Sequence, residues 1–304
     1  MTGRAIAAAA LAASLAAGGC RPADAARMAR ADSTALAQRE SRLEQSLAQR
    51  DTTGQDSTVE RKAVARWIMP RHLDELSGMA LTRDGRLLAH GDEHAQISEI
   101  DYRRGVVTKE FVVGRPTIKA DFEGIAFADG LVFLLASNGT LYEFREGGNG
   151  ERVDYTTHDT RLGKECEFEG VAFDSTLNSL LLACKNVGTK HLRDHLVIYR
   201  WRLDGSGHRL SRMTVPLKRI LESVGEKELH PSDLTVDPFT GNYVLIANEK
   251  VIVDITRDGQ LVFARRLPGE HTQPESVAIT RDSILIIGDE AKNRPAVITL
   301  YPWP

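Results

Sequence analysis

The chain has 304 residues, of which 42% are hydrophobic and 27% charged. This composition is that of an ordinary globular protein and excludes a collagen, a disordered tail and a polytopic membrane protein. Lys and Arg total 39 against 42 Asp and Glu, so the net charge is −3. Because there is no basic excess to neutralise phosphates, the chain is not expected to bind nucleic acid.

The N-terminus has the pattern of an export signal. Arg4 supplies an early positive charge, residues 5–17 form an uncharged, alanine-rich stretch, and small residues precede Cys20. This apolar run is shorter than the roughly 20 residues that span a bilayer. It therefore predicts a signal peptide at residues 1–19 rather than a transmembrane anchor.

The end of the signal resembles a bacterial lipobox, in which the cysteine becomes the lipidated N-terminus after cleavage. The resemblance implies a lipoprotein held in the membrane through Cys20, with a plain secreted protein as the alternative. Arg21 follows the cysteine, which by similarity to enterobacterial sorting rules indicates the outer membrane, facing the periplasm.

Residues 20–64 lack the side chains needed for a core. The segment is rich in small and polar residues and contains no aromatic residue, so it is expected to form a solvated, lipid-anchored tether. Leu36, Leu43 and Leu47 have helical spacing, which predicts a frayed helix over residues 32–50 and thus a flexible or partly helical tether. A partner-binding coiled coil would need more heptads.

Residues 65–304 repeat. Five short anchors recur at intervals of 46, 46, 63 and 43 residues: Leu76-Ser77-Gly78, Phe122-Glu123-Gly124, Phe168-Glu169-Gly170, Pro231-Ser232-Asp233 and Pro274-Glu275-Ser276. Each anchor begins an apolar strand, and further strand-like runs follow it. Periods near 45 residues with four short strands are typical of propeller blades, which must stack because one such sheet cannot bury both of its faces.

Turns and chain ends complete this prediction. Asp84-Gly85, Asp129-Gly130 and Gly241-Asn242 are typical of tight hairpins. Residues 152–156 are expected to form the fourth strand of blade two, and the 63-residue interval to contain a helix over residues 217–225. The fifth repeat lacks a fourth strand, which the run at residues 65–70 can supply. We therefore predict an all-β, five-bladed β-propeller of four-stranded antiparallel blades, closed by an N-terminal strand. Six blades, the alternative, would need a sixth anchor.

The anchors, together with the acidic ends of the second strands, resemble the SdiA-regulated family of bacterial exported propellers. The resemblance rests on the anchors listed above and on Gly91-Asp92-Glu93, Val171-Ala172-Phe173 and Gly288-Asp289-Glu290. It implies an exported propeller without a defined reaction. A related pattern occurs in phytase-like esterase propellers and in calcium-dependent lactonases.

Propeller geometry brings the repeats together at one end of the channel. The first strand of each blade starts, and the second strand ends, at the same channel mouth. One column of side chains there comprises Ser77, Glu123, Glu169, Ser232 and Glu275. The predicted ligand-binding column comprises Asp92, Glu93, Asn138, Lys185, Asn248, Glu249, Asp289 and Glu290.

Repeated carboxylates around one axis repel each other unless a cation neutralises them, and Ca²⁺ prefers six to eight oxygen ligands. Glu123, Glu169 and Glu275 are therefore predicted metal ligands, with Ca²⁺ as the cofactor. In the alternative, the three glutamates accept backbone N–H bonds from the neighbouring blade and serve as structural latches.

No common catalytic motif is present: the sequence contains no Gly-x-Ser-x-Gly, no Walker loop and no His-Glu-x-x-His. The expected function is the binding of a small ligand or divalent cation at the acidic mouth. One alternative is a Ca²⁺-dependent esterase, phosphoesterase or lactonase, in which a histidine or Lys185 assists a cation-activated water. The other is a scaffold for protein interactions through the outer loops. The spaced histidines are expected at the surface: His90, His94, His191 and His195.

The remaining cysteines lie in the third repeat. Cys166 precedes its first strand and Cys184 ends its second, so adjacent hairpin strands would bring them close together. Export permits oxidation. The sequence leaves a disulfide and two buried thiols as alternatives.

Overall fold

The computed structural model describes residues 22–48, 62–204, 210–292 and 294–304. The predicted signal peptide and Cys20 lie outside these ranges. Within them, no helix is both long enough and apolar enough to cross a membrane. The described chain begins with helix α1 (Pro22–Ala48), followed by strand β1 (Ala65–Ile68).

The described residues contain twenty further strands, which form five blades together with β1. Blade one contains β2 (Leu76–Leu81), β3 (Leu87–Gly91), β4 (Gln96–Asp101) and β5 (Val106–Val113). Blade two contains β6 (Phe122–Ala128), β7 (Leu131–Ala136), β8 (Thr140–Arg145) and, after β9 (Arg152–Val153), strand β10 (Tyr155–Asp159). Blade three contains β11 (Cys166–Asp174), β12 (Ser179–Val187), β13 (His195–Arg202) and β14 (Leu210–Pro216).

Helix α2 (Leu217–Val224) leads into blade four, which contains β15 (Pro231–Val236), β16 (Tyr243–Ala247), β17 (Val251–Ile255) and β18 (Leu261–Arg266). Blade five contains β19 (Pro274–Ile279), β20 (Ile284–Asp289) and β21 (Val297–Pro302). The predicted helix after β14 is confirmed, and Gly225 ends it in a left-handed conformation with φ 71°.

The five-bladed propeller and its closure are confirmed. The innermost strand of each blade contacts that of the next blade, and β19 returns to contact β2. The fourth strand of blade five is β1, which pairs antiparallel with β21 and places Ala65 opposite Leu300. The first and last strands of the propeller therefore share one sheet, which closes the ring of blades.

Each blade is covered on both faces by its neighbours, and its second strand is accordingly mostly apolar. All five residues of β16 and all six of β20 are buried. The apolar clusters lie between adjacent sheets, so stacking of the blades builds the core.

A ring of small residues lies where the inner strands approach most closely. We call this level the waist; it comprises Gly78, Gly124, Gly170, Asp233 and Ser276. A Cβ atom on Gly124 would lie 2.8 Å from the backbone nitrogen of Val171 in the next blade, and one on Gly170 would lie 2.9 Å from the Cα of Asp233. Glycine at these positions lets neighbouring backbones touch.

The expected fourth strand at residues 152–156 is wrong in its boundaries. The structure divides the segment at Asp154. β9 adds to the outer edge of blade one, parallel to β5, whereas β10 is the outer strand of blade two. The physical reason is the open edge of β5, where Val112 donates its N–H to the carbonyl of Glu151 at 3.0 Å.

The structure also differs from the expected solvated tether. Leu43 in α1 is only 1% exposed and packs in an apolar cluster with Met69 and Leu73. The Arg39 guanidinium lies 5.4 Å from the centre of the Trp67 ring, and Glu40 pairs with Arg104. The second half of α1 therefore packs against the seam between blades one and five. A single stripe of leucines is enough to hold the helix in place, because the propeller supplies the other side of the apolar contact.

Candidate functional site

A β-bulge interrupts every inner strand at its anchor. In each blade, the register between the first and second strands shifts at this position. A bulge leaves a residue unpaired and changes the direction of its side chain. The residues at the five bulges form the first predicted column: Ser77, Glu123, Glu169, Ser232 and Glu275.

The two serines of this column join adjacent blades. Ser77 donates its hydroxyl hydrogen to the carbonyl of Phe122 at 2.8 Å, and Ser232 donates to the carbonyl of Pro274 at 2.7 Å. Both acceptors lie at the start of the next inner strand. Serine at the bulge is therefore a latch between blades.

The three glutamates have a different environment. They lie close enough for their charges to interact. Burial, followed by the negative charges of Glu169 and Asp121, raises the pKa of Glu123 to about 9. Burial raises the pKa of Glu169 to about 7, against the opposing effect of Lys185. Burial also raises the pKa of Glu275. At neutral pH the mouth therefore holds protonated carboxylic acid.

Lys185 supplies a positive charge among these acids. It lies near the end of β12, and its Nζ is 2.6 Å from Oε1 of Glu169, which is only 4% exposed. Burial alone would lower the pKa of Lys185. The ion pair with Glu169 and the charges of Glu275 and Glu123 outweigh burial and raise this pKa. The site thus already accommodates one ammonium group.

A second acidic group adjoins the first. A hydrogen bond with Asp92 and the charge of that residue raise the pKa of Glu75 to about 7. Burial and the charge of Asp92 raise the pKa of Glu290, and the side-chain amide of Gln273 donates to Glu290. One oxygen of Asp92, Oδ1, is buried and has no hydrogen-bond partner among the described residues.

Two other predicted ligand residues, Asp289 and Glu249, contact histidine side chains. Asp289 is 2% exposed, accepts the backbone N–H of Thr272 at 2.8 Å, and lies 2.7 Å from Nδ1 of His271. Glu249 lies 2.6 Å from Nδ1 of His230 and accepts the backbone N–H of that residue at 2.9 Å. These carboxylates hold the loops before β19 and β15, and their oxygens are already used.

The other predicted ligand residues make contacts within or next to their own loops. Asn138 accepts the backbone N–H of Thr140 at 2.9 Å within its own turn. Asn248 follows β16 and donates its backbone N–H to the carbonyl of His230 at 3.0 Å. Glu93 is exposed and lies 3.6 Å from His94, although its charge contributes to the raised pKa of Glu75.

His90, expected at the surface, is wholly buried. Burial lowers the pKa of its imidazole to about 4, and Nδ1 lies 2.9 Å from the carbonyl oxygen of Gly91. His90 belongs to the apolar second strand of blade one, and Gly78 leaves the room that its ring occupies.

Two acids of the mouth were missed by the sequence reasoning. Glu75 and Asp121 each precede an anchor, and the equivalent positions in the other repeats are also polar: Glu167, His230 and Gln273. This column was a usable signal, because residues next to the bulges share the same mouth.

The predicted metal centre gains no geometric support. In the parts of the chain that the structure describes, no three His, Cys, Asp or Glu side chains are grouped so that they could hold a metal ion. The Ca²⁺ ligand set of Glu123, Glu169 and Glu275 stays a prediction. The latch alternative applies to other residues: besides the two serines, Asp233 accepts the backbone N–H of Val277 in the next blade at 2.8 Å.

The third repeat carries a disulfide beside this site. Cys166 in β11 and Cys184 in β12 are bonded, with their Cα atoms 5.5 Å apart. The bond joins the two strands that carry Glu169 and Lys185. Of the alternatives that the sequence leaves open, the structure has the disulfide.

Comparison with solved structures identifies bacterial β-propeller enzymes as neighbours. Glutaminyl cyclase from Myxococcus xanthus aligns with a TM-score of 0.53 and 10% identity, covering 79% of this chain and 94% of that one. PQQ-bound aldose sugar dehydrogenase from Streptomyces coelicolor aligns with a TM-score of 0.50 and 13% identity, covering 78% and 98%. No family model and no curated protein sequence matches the chain. At these identities the likeness establishes the propeller fold alone.

Proposed function

We propose that the protein is an exported, lipid-anchored propeller that binds a small cationic ligand at its acidic mouth. The observation that carries this proposal is the cluster of Glu123, Glu169 and Glu275, in which the pKa of Glu123 is raised to about 9. Perturbed carboxyl groups that converge in one place are typical of functional sites. An incoming cation would let these groups ionise, so binding would release protons and strengthen as the pH rises.

An organic ammonium fits the site better than a metal. The Lys185 ammonium already lies 2.6 Å from Glu169, so these carboxylates accept that chemistry. Ca²⁺ requires six to eight oxygens, and several of the predicted oxygen ligands are used by histidines and backbone N–H groups. We therefore place an organic ammonium first and Ca²⁺ second.

Calorimetric titration tests the proposal with two probes, putrescine and Ca²⁺. We expect putrescine to bind more tightly at pH 8 than at pH 6, with proton uptake by the buffer. Glu169→Gln should weaken binding at least tenfold, whereas Glu222→Gln on the exposed side of α2 should not change it. If neither probe gives heat at millimolar concentration, the proposal is wrong.

Export is supported by the sequence around Cys20 and by the disulfide Cys166–Cys184, since disulfides persist mainly in oxidising compartments. Membership of the SdiA-regulated family is part of the same proposal. Metabolic labelling with palmitate tests the anchor. The wild-type chain should be labelled and found in the membrane fraction, and Cys20→Ala should lose both properties.

A second candidate is hydrolysis of an ester, phosphoester or lactone. It is favoured by the separation of the pKa values of Glu123 and Glu169, about 9 and 7, because such pairs divide acid and base roles. A panel of p-nitrophenyl esters, p-nitrophenyl phosphates and lactones, with and without Ca²⁺, tests it. Turnover that Glu123→Gln abolishes would support hydrolysis, and no turnover on any substrate would exclude it for these classes.

A further inference from the structure

The opposite end of the channel contains a cavity of about 1290 Å³. It is lined by the last residues of the inner strands, by the hairpins that follow them, and by residues at the turns after β4 and β17. The inner strands run from the acidic mouth to this end, so Phe127 lies about 13 Å along β6 from Glu123. The waist lies between the two levels. This cavity is thus separate from the acidic mouth.

The wall of the cavity contains an apolar ring among polar and charged residues of both signs. It contains the residue three positions after each waist residue: Leu81, Phe127, Phe173, Val236 and Ile279. Four of them are half-buried, although they are large apolar side chains. Each blade contributes one member of the ring. Apolar surface therefore surrounds the channel axis and is left partly exposed. Binding pockets for organic molecules are lined in this way.

Two arginines at the rim of the cavity have no partner in the part of the chain that the structure describes. Arg83 is in the turn after β2 and Arg281 in the turn after β19, so they lie on adjacent blades. Both are exposed, and neither has an ion pair or side-chain hydrogen bond with another described residue. Three other arginines that line the cavity are paired with acids, Arg86 with Glu99, Arg103 with Asp282 and Arg257 with Asp174.

We propose that this cavity binds a small amphiphilic organic anion, such as a medium-chain carboxylate free in solution. Its apolar part would occupy the ring, and its acid group would contact Arg83 and Arg281. An apolar wall alone would accept any apolar molecule of suitable size. The guanidinium groups of Arg83 and Arg281, on one side of the rim, select an acid and fix its orientation.

Fluorescence titration with 1-anilinonaphthalene-8-sulfonate, followed by displacement with decanoate, tests the proposal. This dye is itself an aromatic organic anion. We expect saturable binding to the folded protein, which decanoate reverses. Phe127→Ser should weaken both ligands at least fivefold. Glu169→Gln, at the acidic mouth, should leave both unchanged, which separates this site from the proposed cation site.

The double variant Arg83→Gln with Arg281→Gln provides a test that does not depend on the core, because both side chains are exposed. It should weaken decanoate at least fivefold and leave the affinity for uncharged decanol unchanged. A melting curve for each variant confirms that the dye reports on folded protein. The proposal is overturned if the double variant binds decanoate like the wild type, or if folded Phe127→Ser binds the dye like the wild type. It is also overturned if the protein binds decanoate only when decanoate is presented in anionic lipid vesicles.

Discussion

Replacing Glu123 with glutamine should remove much of the pH dependence of folding stability above about pH 5. Burial raises the pKa of Glu123 from 4.5 to about 9, so the folded protein keeps a proton that the unfolded chain releases. A group whose pKa rises on folding contributes stability that is complete below its unfolded pKa and is lost as the pH rises through its folded pKa. For Glu123 this loss extends from about pH 4.5 to about pH 9.

The size of the effect follows from the width of that window. Each unit of pKa shift corresponds to about 1.4 kcal/mol, so the upper limit is about 6 kcal/mol. Local relaxation offsets part of the cost of ionising Glu123. We therefore expect the wild type to lose at least about 2 kcal/mol of unfolding free energy between pH 5 and pH 9. Glutamine has nearly the same shape and no charge, so Glu123→Gln should be more stable than the wild type at pH 9.

Urea denaturation at a series of pH values, followed by tryptophan fluorescence, measures this difference. The matched control is Glu222→Gln on α2, which should reproduce the slope of the wild type. If Glu123→Gln also reproduces that slope, the buried carboxyl group does not control the pH dependence, and the electrostatic argument for the acidic mouth is refuted.

Three further predictions concern the propeller. Gly124→Ala should destabilise the protein by about 2–4 kcal/mol, because the new Cβ would meet the backbone of blade three. In the control Gly148→Ala the new Cβ meets only a carboxylate oxygen at 3.4 Å, so this variant should be nearly neutral. Denaturant titrations measure both. Replacing both Cys166 and Cys184 with serine should lower the unfolding free energy by about 3 kcal/mol, as measured by thermal melting against the oxidised wild type. Leu43→Ala should release the second half of α1, so that limited proteolysis cuts there while the propeller stays intact.

The fold could be predicted because every repeat carries the same local sequence pattern. The anchors mark a bulge followed by an apolar strand, and both features recur with the blade period, so five copies reinforce one interpretation. The details that failed depend on contacts between distant segments. Arg152–Val153 joins blade one because β5 has an open edge there, and Leu43 is buried because the seam near Met69 receives it. Neither partner is visible in the local pattern.

The acidic mouth was predicted only in part, for a related reason. Column positions identify which residues share an end of the channel, but they do not show which oxygens are already used. Asp289 and Glu249 look like free ligands until His271 and His230 are found beside them. The apolar ring at the other end was present in the same repeats. It was overlooked because a large apolar residue in a strand, such as Phe127, is ordinarily assigned to the core.

The bulge position shows how a five-fold repeat produces a site without five-fold symmetry. In blades one and four the position is a serine that bonds the next blade, and Asp233 adds a second bond at the waist between blades four and five. Among the described residues the glutamates of blades two, three and five do not bond a backbone carbonyl of the next blade. Glu123 accepts the Ser77 hydroxyl of blade one at 3.4 Å, and the three glutamates interact with each other and with Lys185. Because Lys185 lies beside Glu169, one sector of the mouth differs from the rest. An asymmetric cluster of this kind favours one ligand in one orientation over equivalent ions distributed around the ring.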